Sequence, residues 1–177
     1  PDCLSMVGVA REVAAILGVR STFPSSVPDE AGEPASTACT VTIEDPDLCP
    51  RYAARVIRGV RIGPSPDWLA EKVTAAGARS VSNVVDVTNL VMFELGQPLH
   101  AFDLATLKTD EKGRAAITVR VARPGERLTT LDGVERELRE DTLLICDLGG
   151  PVALAGVMGG EETEVSEATV DILLEAA

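Results

Sequence analysis

Apolar residues recur at helical spacing in two stretches that are bounded by helix start and stop signals. The first predicted helix follows Asp2, whose carboxylate can cap it, and ends at Gly18. The second begins at Ser65 and Pro66, a cap residue followed by a proline suited to the first turn, and ends near Gly77. The pattern therefore predicts one helix at the start of the chain and one in its middle.

A third helix is predicted over residues 84–95, directly before a polar turn. Asn83 is its expected cap, Asp86 would complete a partial capping box, and Gly96 ends it. Four residues form the stripe expected to face the core: Val84, Val87, Val91 and Leu95. The turn carries Pro98 and His100, the only histidine of the chain. We expect polar groups of the helix and the turn to converge beside one buried face, as in a site for a small molecule or an acyl group.

The remaining apolar runs are short and lack a helical period. They are predicted to be strands, over residues 39–43, 52–62, 117–121, 128–131, 142–146, 152–155 and 170–174. Asp132 and Gly133 form the dipeptide of a tight hairpin. The pattern predicts an α+β fold, in which a layered or barrel-like sheet is covered by a few helices.

Residues 21–38 separate the first helix from the first strand. They are rich in Pro, Ser, Ala and acidic residues without a sustained hydrophobic period, which is typical of a linker. We interpret residues 1–20 as the end of a preceding module and residues 39–177 as the main domain. Because the chain begins at Pro1 rather than at methionine, we interpret it as a fragment of a longer polypeptide.

The charge balance narrows the range of binding partners. The chain has 16 Lys and Arg against 28 Asp and Glu, a formal charge of -12. This balance argues against a broad electrostatic footprint for nucleic acid or for an anionic membrane. If RNA is a partner, most of it must be bound outside this chain. The cluster of Arg51, Arg55, Arg58 and Arg61 could meet phosphates, but a strand surface of mixed charge explains it better.

Cysteine usage and hydropathy indicate a cytosolic protein without a structural metal. The four cysteines form no C-x-x-C pair, and one histidine cannot complete an ordinary Cys/His zinc set. No segment resembles a signal peptide, and no apolar run approaches the roughly 20 residues that span a bilayer. We therefore expect reduced thiols, no metal and no membrane segment.

Three segments could supply chemistry, and each also has a structural explanation. His100 could orient or deprotonate a water near neutral pH, although a single histidine is more often a structural residue. Residues 153–160 run from a strand into small residues whose amides could bind an oxyanion, or simply form a flexible turn. Glu175 lies at the end of an apolar run. If its carboxylate faces inward, it needs a polar partner, which would indicate a ligand. If it faces outward, it is an ordinary acid at the end of a strand in solvent.

Four motifs, in order along the chain, together resemble a known family. They occupy residues 83–89, 96–103, 130–136 and 154–160, and they are similar to the central B3/B4 domain of the bacterial phenylalanyl-tRNA synthetase β subunit. Residues 1–12 resemble the end of the module that precedes this domain. The resemblance implies an α+β domain with a β-sandwich-like core, placed in a cytosolic α2β2 enzyme.

The resemblance also implies an activity, which is hydrolysis of tyrosine misattached to the phenylalanine tRNA. The site residues that it carries over are His100, Thr88 and Asn89 as catalytic residues, and Glu175, Pro98, Ala155 and Gly156 as substrate-binding residues. Glu175 would accept a hydrogen bond from the tyrosine hydroxyl. ATP and Mg²⁺ would serve the whole synthetase and not this domain. The implied partners are the acceptor end of tRNA(Phe) carrying tyrosine, the α subunit and the other β-subunit modules.

Two departures from the family pattern bear on these expectations. Leu90 replaces a family tyrosine beside Asn89, and the chain ends at Ala177, where the family domain continues. The domain is therefore expected to be truncated at its C-terminal end. The alternative function is a non-catalytic structural or RNA-binding scaffold that has kept the motifs for folding.

Overall fold

The computed structural model describes residues 2–23 and 27–177, which form two compact units. One comprises residues 2–23, 27–33 and 63–99, and the three α-helices of the described residues lie in it. The other comprises Pro34–Ile62 and His100–Ala177 and contains the strands. We call them the helical unit and the β unit. The assignment of residues 1–20 and 21–38 to a preceding module and a linker stays a prediction; residues 24–26 lie outside the described residues, and Ala35–Thr37 form a 3-10 helix.

The helical unit consists of α1 (Met6–Leu17), α2 (Asp67–Ala75) and α3 (Asn83–Leu95). Helix α3 packs against both α1 and α2. The predicted cap of α1 is wrong, because Ser5 and not Asp2 precedes the helix, and its Oγ accepts the Gly8 N–H at 3.0 Å. Gly18 ends α1 as predicted, at a φ of 64° that favours glycine.

Helix α3 differs from its predicted start and orientation. Ser82 is the N-cap, and Asn83 is already helical. The predicted apolar stripe is wrong, since Val87 and Leu95 are 45% and 58% exposed. Asp86 is instead fully buried on this helix. The helix is rotated from the expected orientation because this carboxylate is hydrogen-bonded to the segments that precede α2 and α3.

The Asp86 carboxylate replaces the predicted capping box with a network of longer range. It accepts hydrogen bonds from the hydroxyls of Ser65 and Ser80 and from the Val81 N–H. Ser65 therefore does not cap α2, which begins at Asp67 after an extended Pro66. Burial alone would raise the pKa of Asp86, but the three hydrogen bonds outweigh it and lower the pKa below its usual value.

The β unit contains ten strands in three sheets. The strands are β1 (Cys39–Ile43), β2 (Ala53–Ile57), β3 (His100–Asp103), β4 (Ala115–Val121), β5 (Arg127–Thr129), β6 (Glu135–Glu137), β7 (Leu143–Asp147), β8 (Gly150–Leu154), β9 (Met158–Gly159) and β10 (Ile172–Ala176). One sheet has the order β1-β4-β7-β8-β9, a second has the order β2-β10-β3, and β5 pairs with β6. Only β1 and β4 pair in parallel; the other pairs are antiparallel.

The two larger sheets of the β unit share one hydrophobic core. Phe102 and Leu173 contribute from the three-stranded sheet, and Ile117, Val119 and Ile145 contribute from the five-stranded sheet. All five side chains are at most 1% exposed, so each is fully removed from water. This arrangement is sandwich-like, and the predicted α+β class is confirmed.

Two segments of the β unit differ from the predicted strands. The strand expected over residues 52–62 is shorter, because Arg58 and Gly59 turn away to bond the Asp171 carboxylate. His100 was expected in a turn, yet it begins β3, which pairs with β10 about 70 residues later in the chain. The hairpin at Asp132 is confirmed: it joins β5 to β6, and Gly133 has a φ of 74°.

The four cysteines are free; Cys3 is exposed, and Cys39, Cys49 and Cys146 are buried. Among the residues described, none of the helices combines the length and apolar character that crossing a bilayer requires.

Candidate active site

The candidate site is built on one face of the three-stranded sheet of the β unit. Glu175 on β10 is directly opposite His100 on β3 and Ala54 on β2. Opposed residues of antiparallel strands point to the same face, with Cβ atoms about 4.5–5.5 Å apart. Leu173 and Phe102, two residues along their strands, share this face and lie in the core. His100 and Glu175 are thus brought together at the polar end of an otherwise apolar surface.

Glu175 faces inward and already has a polar partner within the chain. It is 8% exposed, and its Oε2 accepts a hydrogen bond of 2.6 Å from the Tyr52 hydroxyl. Burial raises the pKa of Glu175 to about 6, and the hydrogen bond from Tyr52 acts in the opposite direction. The inward position of Glu175 does not by itself indicate a ligand, because an internal phenol supplies one polar partner. Its substrate-binding role stays a prediction.

Sequence reasoning missed Tyr52, the only tyrosine of the chain. It lies directly before β2, two residues from Ala54, and its hydroxyl reaches the Glu175 carboxylate. Its ring packs against the core of the β unit. Burial, followed by the negative charge of Glu175, raises the pKa of Tyr52 far above its usual value. The phenol is therefore protonated at neutral pH and acts as a hydrogen-bond donor.

His100 is a neutral imidazole with an unused polar atom. Burial lowers its pKa from 6.5 to about 4. Its ring stands edge-on to Phe102, with ring centroids 4.5 Å apart. The Nε2 atom is buried and has no hydrogen-bond partner within residues 2–23 and 27–177. A buried nitrogen without a partner is costly, which makes it suited to a ligand or to a water.

The space around His100 depends on Gly159. A Cβ at this glycine would lie 2.7 Å from the imidazole Nε2, so only glycine fits without displacing the ring. The Gly159 carbonyl accepts a hydrogen bond from the Leu131 N–H at 3.1 Å. Thr130 and Gly160 form an isolated antiparallel β-bridge. The motif at residues 130–136 thus holds the glycine strand beside His100. This motif is part of the family resemblance, which gives it no role in the site.

Ala155 and Gly156 lie in the turn between β8 and β9. The Ala155 N–H donates to the Leu143 carbonyl at 3.0 Å, so this amide is not available to an oxyanion as expected. Gly156 is exposed and has a φ of 68°, which suits glycine. Any oxyanion contact from this turn therefore falls to the Gly156 amide.

Three predicted site residues lie in the helical unit. The Thr88 hydroxyl donates to the Val85 carbonyl of its own helix at 2.7 Å and keeps its lone pairs for a further donor. Asn89 follows it on α3 and is half-buried, and Pro98 is exposed in the segment after Gly96. Their functional roles remain predictions from the family resemblance.

Comparison with known proteins gives the family. The family model described as "B3/4 domain" matches residues 48–177, which is most of the chain. The chain belongs to the B3/4 domain family. The resemblance inferred from the four motifs is thereby confirmed.

Relatives of this B3/4 domain are found over the whole length of the chain. It is 56% identical to the "Phenylalanine--tRNA ligase beta subunit" of Moorella thermoacetica, covering 99% of this chain and 21% of the relative. It is also 56% identical to the protein of the same name from Anaeromyxobacter dehalogenans, covering 100% of this chain and 22% of the relative. The B3/4 domain chain thus spans about a fifth of the length of these relatives.

A solved structure supports the fold of the B3/4 domain. The N-terminal fragment of the phenylalanyl-tRNA synthetase β subunit from Pyrococcus horikoshii superposes with a TM-score of 0.57 at 16% identity, covering 97% of this chain and 50% of that one. At this identity the likeness concerns the fold alone.

We expect the neutral His100 to make the stability of the B3/4 domain pH-dependent. Its pKa is lower in the folded than in the unfolded chain, so its contribution is complete above pH 6.5 and lost as the pH falls toward 4. Glu175 acts oppositely, because its raised pKa favours the folded state below about pH 6. Between pH 7 and pH 4, the free energy of unfolding of wild type should therefore fall by about 3 kcal/mol more than that of His100→Asn, as measured by urea unfolding. Parallel pH curves for the two proteins would contradict this assignment.

Proposed function

We propose that this B3/4 domain hydrolyses the ester of tyrosine misattached to tRNA(Phe), as the editing domain of a phenylalanine-tRNA ligase β subunit. The observation that carries the proposal is the buried carboxylate of Glu175 opposite the imidazole of His100, whose Nε2 has no hydrogen-bond partner among the described residues. One group can recognise a phenol and the other can act on a water. A tyrosyl ester contains both groups: a phenol that Glu175 can bind and an ester bond that a water at His100 can attack.

The recognition step follows from the limits of hydrophobic selection. A phenylalanine pocket rejects a ligand that adds one hydroxyl only weakly, about a hundredfold in a comparable case, so a second site improves accuracy. In our proposal Glu175 accepts the hydrogen bond of the tyrosine phenol on Oε1, the oxygen that Tyr52 leaves open. A phenylalanyl ester would offer no donor and would exclude water from that oxygen.

The chemical step needs a positioned water and a neutral base. At pH 7 His100 is neutral, and in the tautomer that carries its proton on Nδ1 the Nε2 atom can accept a hydrogen bond or a proton from water. The water oxygen bonds to the ester carbonyl carbon, the bond from that carbon to the ribose oxygen breaks, and the ribose oxygen takes up a proton. The products are free tyrosine and deacylated tRNA. We assign the Gly156 amide to the developing charge on the carbonyl oxygen. The roles of Thr88, Asn89 and Pro98, which lie in the helical unit, are proposed from the family resemblance alone.

The wider assembly is part of the same proposal. The relatives are β subunits of a ligase, so we propose the α subunit and the acceptor end of tRNA(Phe) as partners, in an α2β2 enzyme. ATP and Mg²⁺ would serve aminoacylation outside this chain. Within residues 2–23 and 27–177, no three His, Cys, Asp or Glu side chains are arranged as metal ligands, and no step here uses a metal.

The decisive experiment changes Glu175 to glutamine in the full-length β subunit, assembled with the α subunit. Glu175→Gln keeps the shape and the contact with Tyr52 but removes the negative charge. The ratio of Tyr-tRNA(Phe) to Phe-tRNA(Phe) deacylation rates should fall about tenfold, because a hydrogen bond to a charged group is worth about 1.5 kcal/mol or more. Deacylation rates for both esters at pH 7.5 measure it.

The matched control is Glu164→Gln, which removes the same charge from an exposed position of the β unit. It should leave the ratio unchanged, and both variants should aminoacylate tRNA with phenylalanine at the wild-type rate. The competing function, a non-catalytic scaffold, is favoured by one observation: Glu175 already accepts a hydrogen bond from a donor within the chain, Tyr52. An unchanged ratio in Glu175→Gln would support the scaffold and remove Glu175 from substrate recognition.

A further inference from the structure

The hydrogen bond between Tyr52 and Glu175 joins two side chains 123 residues apart. The phenol of Tyr52 is therefore bound to the same carboxylate that, in our proposal, binds the phenol of the substrate. Tyr52 Oη lies 2.6 Å from Oε2, a short distance that is typical of a donor on an ionised carboxylate. The substrate group would therefore meet a carboxylate that is already half-occupied.

We propose that Tyr52 is a positioning residue for tyrosine selection: its phenol fixes one carboxylate oxygen of Glu175, so that the other oxygen is held toward the phenol of a bound tyrosyl group. The inference rests on the proposed function and extends it to a residue outside the recognised motifs. Tyr52 does not touch the reacting atoms and acts through Glu175.

The geometry supports orientation by Tyr52 for two reasons. The ring of Tyr52 packs against the core of the β unit, so its hydroxyl is held by a rigid support. Glu175 lies on the central strand of its sheet, between β2 and β3, which fixes its backbone on both sides. The carboxyl group of a glutamate otherwise rotates freely about its last torsion. A single fixed donor removes that freedom and leaves one oxygen in a defined direction.

The same hydrogen bond favours the ionised acid. Burial favours protonated Glu175, which would offer a donor where an acceptor is needed, and the Tyr52 hydroxyl opposes that shift. The other titratable groups on this side are His100, opposite on β3, and the thiols of Cys39 and Cys49, which lie near Tyr52. His100 has a pKa of about 4, and burial raises the pKa of Cys39. Glu175 is therefore the group expected to titrate near pH 6.

The first test uses the only tyrosine of the 177-residue chain as a probe. With tyrosine labelled at Cζ with ¹³C, the protein gives one resonance, which reports the hydrogen bond of the phenol. We expect this resonance to shift between pH 5 and pH 7.5 with a midpoint near 6 in wild type, and not to shift in Glu175→Gln. A resonance that is insensitive to pH in the wild-type protein would overturn the coupling of the two groups.

The second test measures tyrosine preference in the assembled enzyme as a function of pH. Tyr52→Phe removes only the hydroxyl, and it should lower the ratio of Tyr-tRNA(Phe) to Phe-tRNA(Phe) deacylation about tenfold at pH 7, as expected for one lost hydrogen bond to a charged group. The pH at which the ratio falls should also move upward, with partial recovery at pH 8.5. A ratio and a pH profile identical to wild type would overturn the proposal.

Thr169→Val is the matched control. Thr169 Oγ1 donates to Asp103 Oδ2 at 2.6 Å, so it is a second buried hydroxyl–carboxylate pair in the β unit, at the other end of β3. Its loss should reduce stability without changing the ratio or its pH profile. An equal pH-independent loss in both variants would identify Tyr52 as merely structural. If wild type shows no tyrosine preference, the proposed function fails, whereas the NMR titration still decides whether Tyr52 controls Glu175.

Discussion

His100→Ala is expected to slow deacylation of Tyr-tRNA(Phe) by the assembled enzyme about 100-fold, the lower range for removing a positioned acid-base group. His100 is the only histidine of the chain, and its Nε2 has no partner within the described residues. Its removal therefore breaks no hydrogen bond of Nε2 to the described residues. The rate is measured under single-turnover conditions, with enzyme in excess over purified Tyr-tRNA(Phe), so that the chemical step is observed directly.

Two comparisons separate chemistry from folding in this experiment. Aminoacylation with phenylalanine should proceed at the wild-type rate, because that site lies outside this chain in our proposal. His100→Asn should lose activity to a similar extent, since its amide is not a base near neutral pH. If His100→Ala deacylates Tyr-tRNA(Phe) at the wild-type rate, His100 has only a structural role against Phe102 and Gly159.

Asp86→Ala is expected to lower the free energy of unfolding of the helical unit by about 3 kcal/mol, because it removes the fully buried acceptor of three hydrogen bonds. The carboxylate is fully buried and connects α3 to the segments at Ser65 and at Ser80. Truncation would leave a void and unpaired hydroxyls in the same place. Its effect should exceed that of any exposed substitution on α3.

Urea unfolding followed by the fluorescence of Trp68, the only tryptophan, measures this loss within the helical unit. The control is Glu94→Ala, which removes an exposed acid from the same helix and should change stability by less than about 0.5 kcal/mol. The pKa of Asp86 is lowered in the folded state, so its contribution is present above pH 3.8 and lost as the pH falls below that value. Equal midpoints for the two variants would show that the network adds nothing to stability.

Local signals along the chain predicted most elements and the C-terminal ends of two helices, but not the N-terminal ends of those helices. Gly18 and Gly96 ended their helices as expected, because a left-handed terminal residue favours glycine whatever surrounds it. The N-caps were misplaced, since Asp2, Ser5, Ser82 and Asn83 are all suitable cap residues and the sequence does not rank them. The apolar stripe of α3 failed because burial of one carboxylate outweighed the period of four aliphatic residues.

Some residues of the candidate site were predicted and others were not, because contacts between residues distant in the chain decide which groups meet. His100 was recognised from a motif and Glu175 from the family resemblance, but their meeting depends on the pairing of β3 with β10. No local pattern gives the register of strands so far apart in the chain. Tyr52 had no signal beyond being the only tyrosine. Ala155 had the small side chain that suits a site, yet its amide was already used by the Leu143 carbonyl.

The sequence by itself determined the family, the α+β class and the residue types available for chemistry, because motifs, helix stops and hairpin dipeptides act over a few neighbouring residues. Only the tertiary structure decided which groups meet and in which protonation state. It paired Glu175 with Tyr52 and left His100 neutral, because burial and hydrogen-bond partners set a pKa and both depend on residues distant in the chain.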